Sequence, residues 1–492
     1  MNIAEAKKQV SNAMKAYFAK DEFGNYRIPP EGQRPVFLMG PPGIGKTAIM
    51  KQIADEMGVG LVSYSMTHHT RQSALGLPVI TKKNYGGEVF SVTEYTMSEI
   101  IASVYDIMEE SGVREGILFL DEINCVSETL TPTMLQFLQF KTFGKHSVPE
   151  GWIVVTAGNP PEYNRSAREF DIVTWDRLKR VDIEPDYSAW KEYALKKGVH
   201  PAVTTYLDAR KENFYRVQAD VDGKRFITAR GWDDLSDMMK IYELQSVHVD
   251  KLLISQYIQD KEIAEDFAAY YDLFNKYRSD YRIGEILSGT EAEEIRERAK
   301  NAPFDERLSL IGLLLDTLRT DICSVMETED YISELLPVLK NIKAGADLQE
   351  KLDEESARMN RDARRGALTP ARRSTYERTL AFLADCVSEK ADFPKMKARY
   401  DVELAGMRTA AAAAGGRLDC LFRFAETVWP EGQELLILVT ELTTGWHTAR
   451  FISRYGCERY YRHNKELMFY ERNTEILKQI ELMEEKKEKI DL

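Results

Sequence analysis

The chain has 492 residues, 43% of them hydrophobic, which is enough for two or three packed domains and rules out a disordered polymer. Its formal net charge of −13 argues against a general phosphate-binding surface, because non-specific nucleic-acid affinity comes from clustered Lys and Arg. Any anion site must therefore be local, and no apolar run is long enough to span a membrane; "ELLILVTEL" is bounded by acids at both ends.

In chain order, the first twenty residues read as an amphipathic helix and lack the apolar core of a signal peptide. Residues 34 to 185 then alternate short apolar runs with helical periods, the pattern of a parallel sheet flanked by helices. "RPVFLMG", "GLVSYSM", "GILFLDE" and "WIVVTAG" are the predicted strands. "GKTAIMKQIADEM", "TMSEIIASVYDIMEES" and "TPTMLQFLQF" carry helix-spaced apolar positions. "LPVITKKNYGGEVFSVTEY" differs, with two extended runs about Gly-Gly, and predicts a β-hairpin inserted into the α/β unit. From Trp190 to about Tyr281 strands are expected to cease in favour of a compact helical lid. Beyond 285 the pattern is helical and highly charged. There, "MNRDARRGALTPARR" reads as a solvated face or linker rather than a basic docking patch. Tyr455, Tyr460 and Tyr461 are expected to pack against helices rather than stack on bases.

Three features carry chemistry. "GPPGIGKT" fits G-x-x-x-x-G-K-[ST] between a predicted strand and a predicted helix, the setting of a phosphate-binding loop. Gly40, Pro41, Pro42, Gly43, Ile44, Gly45, Lys46, Thr47 and Ala48 are the expected nucleotide-binding residues. Backbone amides would face the phosphates at a helix start, Lys46 would reach the β/γ-phosphates of ATP, and the Thr47 hydroxyl would bind Mg²⁺. "GILFLDEIN" ends an apolar strand in two carboxylates that alternation points in different directions. Asp121 is expected to hold Mg²⁺ and Glu122 to polarise the attacking water. "VVTAGNPPEY" ends a further strand in Asn159, an uncharged group suited to orienting water or touching the γ-phosphate. Other chemistries find little support. His68 and His69 are adjacent and cannot share a face as paired metal ligands would. Cys125, Cys323, Cys386, Cys420 and Cys457 are scattered without Cys-x-x-Cys spacing, which suits a reducing cytoplasm and gives no zinc framework.

Together with "LTPTMLQFLQ", "RLKRVDIEPDYSAWKEYALKKGVHPAV", "ITARGWDDL" and "RQSALGLPVI", these residues resemble the AAA+ ATPases, specifically the MoxR-like, dynein-related branch, over roughly residues 30 to 245. The resemblance implies a ring, usually a hexamer, with ATP bound between subunits and hydrolysis driving partner remodelling, possible partners including von Willebrand A-type proteins. It implies an arginine finger at Arg177, shortly before the last core strand and given to the neighbour's site, with Arg180 at the start of that strand, "RVDIEP", expected to pair locally or to contribute to the subunit contact. Arg230 matches the family's second sensor in the lid, although Ala229 stands where a proline often does; pairing of Arg230 with Asp233 or Asp234 is the plainer reading. The expected domains are an N-terminal helix (1–30), an α/β core (31–188), a helical lid (189–284) and a helical C-terminal domain (285–492). A nucleic-acid-directed motor and a nucleotide-gated scaffold with little hydrolysis are the competing functions, the first disfavoured by the net charge.

Overall fold

The computed structural model describes residues 1–68, 74–220, 223–366, 368–430 and 432–465. They form two compact units. The first comprises Met1–Trp190, Thr228–Arg230 and Ala344–Glu389; the second comprises Lys191–Ile227, Gly231–Lys343 and the described part of Lys390–Leu492. His69, Arg71 to Ser73 of the "RQSALGLPVI" stretch, and residues 466–492 of the expected C-terminal domain lie outside the described residues.

The first unit opens with α1 (Ile3–Tyr17), closed at its start by a reciprocal pair: the Asn2 side chain accepts from the Glu5 amide at 2.9 Å, and the Asn2 amide donates to Glu5 Oε2 at 3.0 Å. Then follow β1 (Val36–Met39), α2 (Lys46–Met57), β2 (Gly60–Ser65), the hairpin β3 (Pro78–Tyr85) and β4 (Glu88–Tyr95), α3 (Glu99–Ser111) and β5 (Gly116–Asp121). The chain continues through α4 (Thr131–Phe140), the short strands β6 (Thr142–Phe143) and β7 (His146–Ser147), β8 (Trp152–Gly158), α5 (Ile172–Trp175) and β9 (Lys179–Asp182). Strands β2, β5, β8, β1 and β9 lie side by side in that order, all parallel. Helices cover both faces, which is why these strands read as unbroken apolar runs; Ile117, Leu118, Phe119 and Leu120 are all buried. Four of the strands and the three core helices coincide with the sequence expectation, and β9 overlaps the last strand implied by the resemblance over Arg180–Asp182. The inserted hairpin does too, turning at Gly86 and Gly87 with φ of +64° and +97°.

Strand register sets the position of the loops. Met39 pairs with Gly158 on one side and Asp182 on the other, and Ser65 pairs with Asp121. The carboxyl ends of these strands are thereby level, and loops leaving them share one edge of the sheet. At the opposite end Trp152 is buried among α/β core residues, with Gly60 and Gly116 making room for its ring. A Cβ on Gly116 would lie 2.6 Å from the indole, and one on Gly60 2.8 Å from it.

In the second unit, α7 (Pro201–Ala209) follows α6 (Tyr187–Lys197), and α8 (Ala229–Leu244), α9 (Lys251–Tyr257), α10 (Lys261–Asp280), α11 (Ile283–Ser288) and α12 (Glu293–Asn301) come after a hairpin. That hairpin, β10 (Arg216–Asp220) against antiparallel β11 (Gly223–Ile227), corrects the expectation of helices alone after Trp190. Its signal is weak: "RVQAD" alternates polar and apolar residues before Asp-Gly, but "KRFI" after it does not, and the charged residues make the runs look like solvated helix surface. The β6–β7 turn about Gly144, at φ +60°, is too short to show any period. The 40-residue α13 (Phe304–Lys343) packs along the 36-residue α16 (Phe393–Val428), with α17 (Gln433–Thr444) and α18 (Trp446–Tyr455) alongside. Buried Glu434 and Glu441 here are paired with half-buried arginines, Arg307 at 2.6 Å and Arg319 at 2.8 Å, and half-buried Lys191 pairs with Asp208 at 2.8 Å. Tyr460 is buried and shares a 2.8 Å hydrogen bond with Thr443, and the Tyr455 ring lies 4.8 Å from Phe451, so these aromatics serve packing.

Between α13 and α16 the chain returns to the first unit as a helical hairpin, α14 (Leu348–Arg364) and α15 (Pro370–Ser388). The "MNRDARRGALTPARR" stretch forms the end of α14, the bend and the start of α15; most of its described residues are exposed, in keeping with a solvated link, while Asp362 anchors it. Asp362 accepts from the buried Tyr376 hydroxyl at 2.7 Å and pairs with Arg365 at 3.2 Å and Arg372 at 3.4 Å. The Arg365 carbonyl accepts from the Leu61 amide of β2 at 3.2 Å.

Gly116→Ala should cost about 1–3 kcal/mol by forcing the Trp152 ring aside. Urea denaturation reads this, and Trp152→Phe in the same chain should return part of the loss; an unchanged midpoint for Gly116→Ala would contradict the close approach.

Candidate functional site

The loop from Gly40 to Gly45 joins β1 to α2 at the level edge of the sheet. Gly43 and Gly45 have φ of +73° and +97°, a region that disfavours any side chain. At Gly43 space is also closed, since a Cβ would meet Thr228 at 2.8 Å. Gly45 caps α2 without a side-chain hydrogen bond, so the first amides of the helix keep their donors free of an intrahelical acceptor. That arrangement presents N–H groups and the positive end of the helix dipole to an anion. Pro41 and Ile44 are buried, Pro42 is half-buried, and Ala48 is exposed on the first turn.

Lys46 is 8% exposed. Its Nζ donates to Gly40 O at 2.7 Å, Pro41 O at 2.8 Å and Asn159 Oδ1 at 2.9 Å. Burial lowers its pKa to about 8; Asp121 and Glu122 work against that fall and Arg230 adds to it. The Thr47 hydroxyl donates to Asp121 Oδ2 at 3.0 Å. A hydroxyl and a carboxylate oxygen side by side are hard donors of the kind Mg²⁺ takes, leaving most of its shell to water and phosphate. These residues fit that ion. Among the described residues no group of three or more His, Cys, Asp and Glu forms a separate metal cluster.

Glu122 turns away from Asp121. Its backbone is left-handed, φ +56° and ψ +35°, a conformation that costs an L-residue on the order of 1–3 kcal/mol. The side chain accepts from Ser65 at 3.2 Å and Thr67 at 3.4 Å. Neither hydroxyl stands out in the sequence; the polar end of an otherwise apolar "GLVSYSMT" is the available signal. Asn124 has no sequence signal of its own, yet its side chain donates to Asn159 O at 2.8 Å. The sheet therefore brings Lys46, Thr47, Asp121, Glu122 and Asn159 to one place.

The two arginines of "DRLKR" differ. Arg180 donates to Asp182 at 2.8 Å and lies 4.6 Å over the Trp175 ring, held twice by its own surroundings. Arg177 is exposed, and among the described residues its guanidinium makes no hydrogen bond or ion pair. Arg230 is exposed on the first turn of α8, its amide donating to Gly43 O at 3.1 Å. Asp233, its plainest partner, is instead held by Lys197 at 2.8 Å, and no ion pair of Arg230 is present among the described residues.

Phosphate oxygens around Lys46 would restore its ammonium, so nucleoside triphosphate binding above pH 8 should take up a proton, and affinity should fall as pH rises through that range. Calorimetry at about pH 8.5 in buffers of unequal ionisation heat reads this directly. A heat independent of buffer would contradict the lowered pKa.

A search of curated proteins finds no match to the chain. Residues 36–173 match the family model described as ATPase family associated with various cellular activities (AAA), a span that runs from β1 into α5 and stops before Arg177. The match thus covers most of the strand-and-helix core of the first unit, including its phosphate loop and acidic strand end, and marks that segment as similar to the AAA ATPase domain.

Proposed function

We propose that the protein is a Mg²⁺-dependent ATPase of the MoxR-like type, acting as a ring, expected to be hexameric, that remodels or activates a protein partner. The observation that carries this is the convergence at one sheet edge of a caged lysine, a hydroxyl–carboxylate pair, a second carboxylate and an amide. Lys46 exchanges its three oxygens for those of the β- and γ-phosphates, and the α2 amides receive the remaining charge. Thr47 and Asp121 would hold magnesium, which when bound neutralises charge on the phosphates. Glu122 takes the proton of the attacking water, and Asn159 orients that water or the γ-phosphate. Arg230, beside Gly43, supplies a lid cation to the same nucleotide.

Arg177 remains, exposed and without a hydrogen-bonded or ion-pair partner for its guanidinium among the described residues. An arginine finger contributes about 10³–10⁵ to the rate of phosphoryl transfer, and a neighbouring subunit's nucleotide is where such a cation is useful. The reading of a ring with ATP between subunits rests on this residue and on the resemblance to the MoxR-like branch. A von Willebrand A-type protein is the class of partner that the resemblance suggests, and scattered free cysteines suit a cytoplasmic setting. No described helix is long and apolar enough to cross a membrane.

Glu122→Gln should keep ATP affinity and lose turnover, whereas Lys46→Ala should lose both; normal turnover by Glu122→Gln would remove the base assignment. Arg177→Ala should bind ATP and fail to hydrolyse it, and mixing it with Lys46→Ala chains should restore activity at mixed interfaces. Absence of recovery across mixing ratios would place the finger elsewhere. A wild-type assembly with no turnover would favour the nucleotide-gated scaffold, and salt-sensitive stimulation by DNA the nucleic-acid motor.

A further inference from the structure

The turn after Glu122 carries a side chain that none of these roles uses. Asn124 is 2% exposed, and its Nδ2 donates to the backbone carbonyl of Asn159 at 2.8 Å. Its Oδ1 occupies the place a side chain would take on Gly158, where a Cβ would lie 2.4 Å away. Its own carbonyl accepts from the Arg168 amide at 2.9 Å, and next to it Cys125 Sγ accepts from Asn164 Nδ2 at 3.2 Å. The short turn Ile123–Cys125 thereby grips the segment that starts at Asn159 and leads through Asn164 and Arg168 toward Arg177.

The chemistry of the place selects an amide. Asn159 lies just past the last paired residue of β8, so its carbonyl has lost the ladder and needs another donor. A charged donor would disturb the balance of Asp121, Glu122 and Lys46. A carboxylate would face the carbonyl with another acceptor. An aliphatic side chain would leave the carbonyl unpaired. Only Gly at 158 admits the amide so close.

We infer that Asn124 is a positioning residue for hydrolysis. Its side chain sets the Asn159 amide relative to Glu122, while its backbone carbonyl, which every variant at this position keeps, holds the Arg168 amide. The Asn159 side chain is already engaged by Lys46 through Oδ1, so a shift of its backbone moves the group that faces the reacting water without removing the phosphate cradle. This role for Asn124 rests on the ATPase reading.

The test compares wild type, Asn124→Ala, Asn124→Asp, Asn159→Ala and the Asn124→Ala/Asn159→Ala double variant as full chains. Melting temperature, affinity for a non-hydrolysable ATP analogue, kcat and KM are measured for each. Asn124→Ala should hold analogue affinity within about twofold while kcat falls about 10- to 100-fold, as misplacement on the order of 1 Å does. The double variant should be no slower than Asn159→Ala alone, because both changes act through one group. Asn124→Asp keeps the volume and carries the test if the alanine variant does not fold. Its rate relative to wild type should rise as pH falls and the acid regains a donor. Unchanged kcat, loss of analogue affinity in step with kcat, or effects that multiply in the double variant would each overturn the inference. A wild-type chain without turnover overturns the ATPase reading and this inference with it, whereas an active wild type with an unaffected Asn124→Ala overturns the inference alone.

Discussion

A buried ammonium has to be surrounded by oxygen, and meeting that need at Lys46 ties together parts of the chain more than a hundred residues apart. Two of its acceptors come from the loop that precedes it and the third from Asn159 at the end of β8. The loop and β8 can meet only because β1 and β8 are adjacent and in register, Met39 against Gly158. The remaining neighbour of β1 is β9, which carries Arg180 and begins shortly after Arg177. Strand β1 thus borders, on its two sides, the amide proposed to face a γ-phosphate and the arginines proposed to divide between home and neighbouring sites. Were β8 displaced, the lysine would lose an acceptor and keep its desolvation cost, so the site is itself held in a narrow geometry.

The division between Arg177 and Arg180 shows how a local environment separates chemically identical groups. Both are exposed, three residues apart in an acidic chain. Arg180 has an aromatic face beneath it and a carboxylate two residues on, so its charge is already spoken for. Arg177 has neither contact, and a cation surrounded mainly by water is the one a foreign phosphate can recruit at least cost.

Much of this is legible in the sequence, and the reasons differ from place to place. Parallel strands covered on both faces announce themselves as apolar runs, and the glycine-rich loop between strand and helix leaves little room for another reading. The β3–β4 hairpin is visible because Gly86 and Gly87 interrupt two extended runs. β10 and β11 are not, since a short hairpin rich in charged and polar residues shares its composition with a helix surface. Asn124, Ser65 and Thr67 stay hidden for another reason: each acts through a contact with a residue distant in sequence, and spacing cannot report that. The same holds for Asp362 in the largely solvated "MNRDARR" stretch, whose contact with the distant Tyr376 hydroxyl has no sequence signal.

The return of residues 344–389 to the first unit has a consequence for how the protein is made. The amide of Leu61, on an edge strand of the central sheet, waits for the carbonyl of Arg365. A ribosome translating at about 5–20 residues per second delivers Arg365 roughly fifteen seconds to a minute after Leu61. During that interval the edge of β2 is open to any extended segment nearby, the situation in which nascent chains pair wrongly. The two units therefore cannot mature one after the other along the chain. Most of the second must leave the exit tunnel before the first is complete, and a fragment ending before residue 344 would keep the phosphate loop and all five strands yet leave the Leu61 amide without this acceptor.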